Sequence, residues 1–132
     1  MADTFKFELV SPERVLLSID AEQAVVPGVE GEFTVFPSHA PLISALRPGL
    51  LVVSAGGASK QIFVKSGFAD VNAGTLTVLA ETAFDVADAS SAQIADEIRI
   101  AEADLEAARD DDARLSARTA VDRLRALGGK AA

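Results

Sequence analysis

The sequence predicts a β + α protein in which an N-terminal antiparallel β-sandwich precedes a C-terminal antiparallel two-helix hairpin. Up to about residue 84, short apolar runs alternate with turn residues, a pattern typical of a sandwich or barrel of short strands. Beyond that point, apolar residues recur every three or four positions, which is the period of an amphipathic helix. We therefore divide the chain into a β-sandwich over residues 1–84 and a helical hairpin over residues 85–132.

Alternation near the N-terminus indicates the first strand. Phe5, Phe7 and Leu9 alternate with Lys6 and Glu8, so one face of this strand is apolar and the other is polar. Further strands are predicted at residues 15–17, 24–26, 32–36, 50–53, 62–64, 68–71 and 75–79. The turns between them are predicted at Pro27-Gly28, Arg47-Pro48-Gly49, Gly56-Gly57 and Asn72-Ala73-Gly74, of which the last two close hairpins.

The first helix of the hairpin has a start signal and an apolar stripe. Ser90 fits the N-cap position with Gln93 three residues later, which is the spacing of a capping box. The stripe that follows consists of Ile94, Ile98, Ala101 and Leu105.

The second helix is predicted after the acidic run at 110–112, which suits a loop and the positive N-terminal end of a helix. Its apolar stripe consists of Leu115, Val121, Leu124 and Leu127. Gly128-Gly129 is expected to end it. Because short helices owe most of their stability to tertiary packing, the hairpin is expected to be stabilised by packing against the sandwich or against a partner.

Net charge and composition narrow the classes of partner and site. The chain carries 12 Lys and Arg against 20 Asp and Glu, a net charge of −8, which repels nucleic acid phosphates and anionic lipids. It has no cysteine, which excludes disulfides and thiolate sites. Neither a signal peptide nor a run of roughly 20 apolar residues that could span a bilayer is visible. We expect a cytoplasmic protein that reaches a membrane, if at all, through a partner.

Candidate catalytic residues are few. His39 is the only histidine, and Glu30 and Glu32 flank Gly31 in a predicted loop. A small β-sandwich hydrolase that uses His39 with Glu30 or Glu32 is one interpretation. The favoured interpretation is a turn histidine beside solvated carboxylates.

Cofactor and metal sites are not expected. One histidine without cysteine offers no zinc set, and the glycines fall at turns rather than in a phosphate-binding fingerprint. The acidic run at 110–112 could bind calcium, but it lacks the spaced ligands and terminal Glu of a calcium loop. A solvated loop that caps the second helix is the favoured interpretation.

A basic stripe stands out on the second helix of this acidic chain. Arg114, Arg118 and Arg125 project within about 40° of one another at 100° per residue. Two interpretations are open: a solvated face with local pairing, for example Asp110 with Arg114, or a docking face for an acidic patch on a partner.

The loop residues of the sandwich resemble one family. Residues 26–33 read VPGVEGEF, residues 36–42 read FPSHAPL and residues 46–49 read LRPG. Together with LVSPER at 9–14 and SGF at 66–68, they resemble the epsilon subunit of bacterial F-type ATP synthases, the equivalent of the mitochondrial delta subunit. The resemblance covers residues 5 to 84 closely and the helical tail only by architecture.

The resemblance implies a fold of about ten strands and a mechanical function. In this family the sandwich binds the gamma shaft and sits on the polar loops of the c-subunit ring, so that rotation reaches the catalytic head. By resemblance, the loops that hold Glu30, Gly31, Glu32 and His39 face the ring, and the remaining sandwich surface contacts gamma. The chain would then be non-catalytic and peripheral, at the cytoplasmic face of the plasma membrane.

The resemblance also implies a role for the hairpin. In many members it inhibits ATP hydrolysis by extending into the alpha/beta catalytic head, where Arg114, Arg118 and Arg125 would meet acidic segments. Some members bind ATP at the hairpin, but here Ser91 replaces the arginine of that motif, so no tight ATP site is expected. A free regulatory module whose helical tail binds a partner reversibly is a third hypothesis beside the stalk subunit and the hydrolase.

Overall fold

The computed structural model describes the backbone of residues 3–131 and the side chains of residues 3–127. Eight strands precede two helices. The strands are β1 (Phe5–Val10), β2 (Val15–Ala21), β3 (Gln23–Gly28), β4 (Gly31–Val35), β5 (Leu42–Ala45), β6 (Gly49–Ala55), β7 (Ala58–Asn72) and β8 (Thr75–Asp85). The helices are α1 (Ser91–Ala107) and α2 (Asp111–Ala131).

The strands form a hydrogen-bonded sheet that folds over on itself into two layers. In the first layer the order is β2-β1-β8-β7-β5, and in the second it is β4-β3-β6-β7-β8. Every named pair is antiparallel except β1 with β8, which is parallel. The predicted antiparallel sandwich followed by two helices is therefore confirmed, with one parallel pair added.

Strands β7 and β8 belong to both layers, and this reconciles eight strands with the expected ten. Residues 58–64 of β7 pair with β6, whereas residues 68–71 pair with β5 in the other layer. The partner strand β8 changes layer with β7. Counting the two halves of each long strand separately gives five strand segments in each layer.

The change of layer occurs at a corner in β7. Ser66 has a positive φ of 56°, and a Cβ on Gly67 would lie 1.8 Å from the carbonyl oxygen of Leu79. The buried positions also change parity here, from Ile62 and Val64 before the corner to Ala69 and Val71 after it. The corner therefore turns both halves of β7 inward toward one core.

The hairpin packs on the outer face of the second layer. Phe63 in β7 is buried beneath it and joins a cluster from both helices, composed of Ile94, Ala101, Ala120, Val121, Leu124 and Leu127. Leu115, which was expected in this stripe, is instead 66% exposed, because it lies about 180° from Leu124 around the helix. Ala117 and Ala120 provide the first part of the contact face in its place.

The structure corrects two further predictions. The chain does not turn at Pro27-Gly28: β3 runs through them, and the turn follows at Val29 and Glu30. Helix α2 continues through Gly128-Gly129 to Ala131, because a glycine costs only about 1 kcal/mol in a helix.

Strand β5 was not predicted, since it is four residues long with no alternation. Between the sandwich and the hairpin, β8 ends at Asp85 and α1 begins at Ser91.

Candidate partner-binding site

The loop residues singled out in the sequence lie on the β3–β4 hairpin. Its two strands pair from Ala24 with Val35 to Gly28 with Gly31, so the turn between them carries Glu30. Gly31 has a φ of 135°, which an L side chain rarely adopts, and this explains glycine at the start of β4. Glu30 and Glu32 are exposed, and Gly31 lies between them.

A groove runs between this hairpin and β5. Its volume is about 500 Å³, and Glu30, Gly31 and Glu32 line one side. The apolar part of the lining comes from Val29, Phe33, Leu42, Ile43 and Ala45. Ile43 is 70% exposed, so the groove combines uncovered apolar surface with carboxylates on its rim.

Close backbone packing holds the groove in shape. A Cβ on Gly28 would lie 2.9 Å from the carbonyl oxygen of Gly31 and 3.0 Å from Oγ of Ser44 in β5. The backbone N–H of Val29 donates to the carbonyl of Ala45 at 2.9 Å, which ties the hairpin to β5. The position of Glu30 is therefore set by two strands rather than by a free loop.

His39 lies in the connection between β4 and β5. Its Nδ1 is 2.7 Å from the carbonyl oxygen of Ala40, and its backbone N–H donates to the carbonyl of Phe36 at 3.0 Å. Its ring centroid is 6.3 Å from that of Phe33, which lines the groove. The structure thus places His39 beside the groove that Glu30, Gly31 and Glu32 line.

A catalytic pairing of these groups is not formed within residues 3–127. There His39 makes no side-chain hydrogen bond to Glu30 or Glu32, and its described bond goes to a backbone carbonyl. No group of three His, Asp or Glu side chains in the same range is close enough together to hold a metal ion.

Sequence reasoning missed the apolar residues of this site. Val29 and Leu42 were quoted only as parts of the family motifs and Ile43 was not quoted at all, and Leu42 and Ile43 belong to the unpredicted strand β5. The available signal was an apolar pair directly after Pro41, within a segment otherwise rich in turn residues. That pattern does not distinguish a buried strand from an exposed one.

A second uncovered surface lies on the outer face of the first layer. One row of directly paired residues crosses all five strands and is apolar throughout: Ala45, Phe68, Leu79, Val10 and Val15. The adjacent row is mostly polar, with Ile43 followed by Asp70, Thr77, Glu8 and Ser18. Phe68 is 45% exposed, and the hairpin covers the opposite side of the sandwich.

The three arginines of the basic stripe are exposed on α2. Arg125 forms an ion pair with Glu102 of α1, and Arg114 pairs with Asp111 at 2.9 Å. Arg118 forms no ion pair with any side chain in the described range. The stripe is therefore partly engaged by carboxylates of the hairpin itself.

Of the acidic run at 110–112, only Asp110 precedes α2 and caps it, whereas Asp111 and Asp112, expected in the loop, form the first turn of the helix. Oδ1 of Asp110 accepts from the backbone N–H of Ala113 at 2.7 Å, as an N-cap residue does. The expected pairing of Asp110 with Arg114 is wrong, because Asp110 caps the helix and Asp111 takes the arginine. At the other helix, Oγ of Ser90 accepts from the N–H of Gln93 at 3.1 Å, which confirms the predicted N-cap.

Neither α1 nor α2, as far as the structure describes them, combines the length and apolar character needed to cross a lipid bilayer.

The fold resembles that of two solved ATP synthase chains. One is from the Euglena gracilis mitochondrial ATP synthase, described as OSCP/F1/c-ring, with a TM-score of 0.71 and 22% identity over 96% of this chain and 81% of that one. The other is from the Tetrahymena thermophila mitochondrial ATP synthase, described as central stalk/c-ring, with a TM-score of 0.65 and 15% identity over 93% of this chain and 95% of that one. At these identities the likeness concerns the fold.

Sequence relatives and a family model identify the family. The ATP synthase epsilon chain of Maricaulis maris is 43% identical over 132 residues, which is all of this chain and 99% of the relative. That of Mesorhizobium japonicum is 44% identical over 130 residues, 98% of this chain and 96% of the relative. Residues 4–86 match the family described as ATP synthase, Delta/Epsilon chain, beta-sandwich domain. The chain belongs to the delta/epsilon chain family of ATP synthases.

Proposed function

We propose that this chain is a non-catalytic rotor subunit of the central stalk of a proton-translocating F-type ATP synthase. It couples rotation of the c-subunit ring to the catalytic head through the gamma subunit. It works at the cytoplasmic face of the plasma membrane and reaches that membrane through the complex. The observation that carries the proposal is that one sandwich bears two uncovered surfaces, the groove at the β3–β4 hairpin and the apolar row on the first layer, which meet at Ala45.

The groove is the surface proposed for the c-subunit ring. Glu30 and Glu32 on its rim attract donor-bearing or basic side chains, and the apolar lining receives the aliphatic part of a long cationic side chain. The close packing of Gly28 and the hydrogen bond of Val29 to Ala45 join the two sides of the groove, which suits a surface that transmits force.

The apolar row is the surface proposed for gamma. A row that includes one aromatic and several aliphatic side chains is typical of the centre of a protein–protein interface. Because the hairpin occupies the opposite face of the sandwich, a shaft subunit on this row leaves the hairpin uncovered.

The decisive experiment is reconstitution. Membrane vesicles whose ATP synthase lacks this subunit receive the purified chain, and ATP-driven proton pumping is measured. We expect the chain to bind and to restore pumping, and to hydrolyse no substrate when alone. Turnover by the isolated chain that is lost in His39→Ala would support the hydrolase instead. Recovery of soluble partners without gamma or c subunits would support the free regulatory module.

The gamma surface can be tested with Phe68→Ala. Truncation of a central aromatic anchor is expected to weaken binding to gamma about tenfold or more. Folding should be largely unaffected, since the side chain is half-exposed. Thr77→Ala, in the adjacent polar row, is the matched control and should bind as wild type does. Equal binding by all three proteins would exclude this face as the gamma surface.

The hairpin is proposed to inhibit ATP hydrolysis modestly. Its extension toward the catalytic head would bring Arg114, Arg118 and Arg125 to acidic segments there. We expect truncation after Asp88 to raise hydrolysis by the assembled complex. Replacing the three arginines with glutamine should raise the rate of hydrolysis to a similar extent. Unchanged hydrolysis in both variants would mean that the hairpin has a structural role and does not inhibit.

A further inference from the structure

A cleft between the sandwich and α2 borders the groove. This α2 cleft has a volume of about 460 Å³ and lies between the β5–β6 turn and the first half of the helix. Leu46 and Pro48 line it from the sandwich, and Leu115 lines it from α2. Val29 lines both the α2 cleft and the groove, so the two cavities adjoin.

Uncovered apolar side chains are concentrated along these two cavities. Within residues 3–127, eight large apolar side chains are exposed, and four of them line the groove or the α2 cleft: Val29, Leu42, Ile43 and Leu115. Ile43 in the groove and Leu115 in the cleft are the two most exposed of the eight, at 70% and 66%. Apolar side chains gathered in one region mark an interaction site, whereas singly scattered ones do not. Both the sandwich and the hairpin therefore contribute to one candidate contact surface.

The α2 cleft carries charges of both signs. Arg47 lines it from the sandwich and Asp112 lines it from α2, and neither forms an ion pair with a side chain of the described range. The charged side chains of the groove, Glu30 and Glu32, are both acidic. The cleft therefore fits a polar loop that presents an aliphatic side chain together with an acceptor for Arg47 and a donor for Asp112.

We propose that the c-subunit loop that occupies the groove extends past Val29 into the α2 cleft and packs on Leu115. The inference rests on the proposed function, since it takes the groove as the surface that meets the c-subunit ring. It adds a contact made by the hairpin to a surface so far assigned to the sandwich alone. Because α2 forms one wall of the cleft, this contact exists only while the hairpin is packed on the sandwich.

The contact links binding of the ring to the position of the hairpin. A partner that binds one conformation better shifts the protein toward that conformation, and the coupling is reciprocal. Binding of the ring should therefore hold the hairpin on the sandwich. The proposed inhibition of ATP hydrolysis, which requires the hairpin to extend, is opposed by the same contact.

Leu115→Ala tests the contact, and Ile100→Ala is the matched control. Ile100 is an exposed apolar residue of α1 that lines neither cavity. Wild type and both full-length variants are titrated onto two targets, ATP synthase complexes that lack this subunit and the isolated gamma subunit. Amide hydrogen exchange of α2 is measured for the wild-type chain when free, when bound to gamma and when bound to the complex.

We expect Leu115→Ala to bind the complex about tenfold more weakly than wild type, since a largely exposed leucine would become buried in the contact. Its binding to gamma should be unchanged, and Ile100→Ala should bind both targets as wild type does. Exchange of α2 should slow in the complex but not with gamma alone.

Three results would overturn the proposal: wild-type binding of Leu115→Ala to the complex, an equal loss of its binding to gamma, or an equal loss with Ile100→Ala. Unchanged exchange of α2 in the complex would overturn the link to the position of the hairpin. Failure of the wild-type chain itself to bind the complex would contradict the proposed function instead.

Discussion

Ser66 and Gly67 are adjacent residues with opposite steric requirements. Ser66 adopts a left-handed backbone conformation, with φ of 56°, that costs an L residue about 1–2 kcal/mol. Gly67 has no such angle, but its α-carbon lies so close to β8 that a side chain cannot fit. The positive φ restricts which residue types suit position 66, and steric contact with β8 restricts those that suit position 67.

Ser66→Gly should stabilise the protein. Glycine relieves the left-handed strain but loses about 0.5–1 kcal/mol more backbone entropy on folding, so we expect a net gain of about 0.5–1 kcal/mol. Urea denaturation followed by circular dichroism measures the change in the free energy of unfolding. A loss of stability would show that the serine side chain makes a contribution larger than the strain.

Gly67→Ala should destabilise the protein by about 3 kcal/mol, because the new Cβ meets the backbone of Leu79 rather than a movable side chain. The matched control is Gly57→Ala, which has open space around it but a φ of 81°. There the cost should be about 1 kcal/mol, from backbone conformation alone. Equal effects of the two substitutions in the same denaturation assay would refute the steric account of the corner.

At the scale of the element, α2 shows that regular spacing does not decide which residues are buried. Leu115 and Leu124 are the same residue type in one helix, but one is 66% exposed and the other 0%. The buried face is shared between leucines in the second half of the helix and alanines in the first half. Small side chains in the first half let the two helices approach closely.

Leu124→Ala should therefore reduce the stability of the hairpin by about 3 kcal/mol, through lost burial and the cavity left behind. Leu115→Ala should change it by less than about 0.5 kcal/mol, since the side chain is mostly in solvent. Amide hydrogen exchange of α1 and α2 reports the difference directly. Similar protection in both variants would mean that α2 is not anchored through Leu124.

On the scale of the whole molecule, the hairpin covers the outer face of one layer of the sandwich and leaves the outer face of the other layer exposed. The hairpin covers Phe63 on the second layer, where Leu50 and Phe84 also pack against the helices, whereas the apolar row of the first layer stays open. One ion pair described between the two parts joins Lys65 to Asp104 at 3.9 Å. Asp104 is well exposed, so apolar burial contributes more to the attachment than this pair does.

Truncation after Asp88 should leave the β-sheet intact and uncover the face that holds Phe63. We expect the circular dichroism of the sheet to persist and the fluorescence of a bound apolar dye to rise. Adding Phe63→Ser to the truncated chain, where that side chain is then on the surface, should reduce the dye signal. Loss of the sheet signal on truncation would show that the sandwich depends on the hairpin to fold.

Much of this arrangement could be predicted because it depends on local regularity. Alternation identified β1, turn residues identified the β6–β7 and β7–β8 hairpins, and the Ser90 cap marked the beginning of α1. The polar residues of the groove were found because glycine and carboxylates mark turns, and the family was recognised from the same loops. Each of these features depends on neighbours within a few positions of the chain.

The sequence by itself determined the two-part architecture, the family and the acidic, histidine-bearing turns. Only the tertiary structure decided which apolar residues stay uncovered: Ile43 and Phe68 are large apolar residues in strands yet remain exposed, because the covering hairpin binds the other layer. It also decided that β7 and β8 serve both layers. The physical reason is that the burial of a side chain and the close approach of two strands depend on contacts between segments that are distant in the chain, and a local sequence pattern does not encode those contacts.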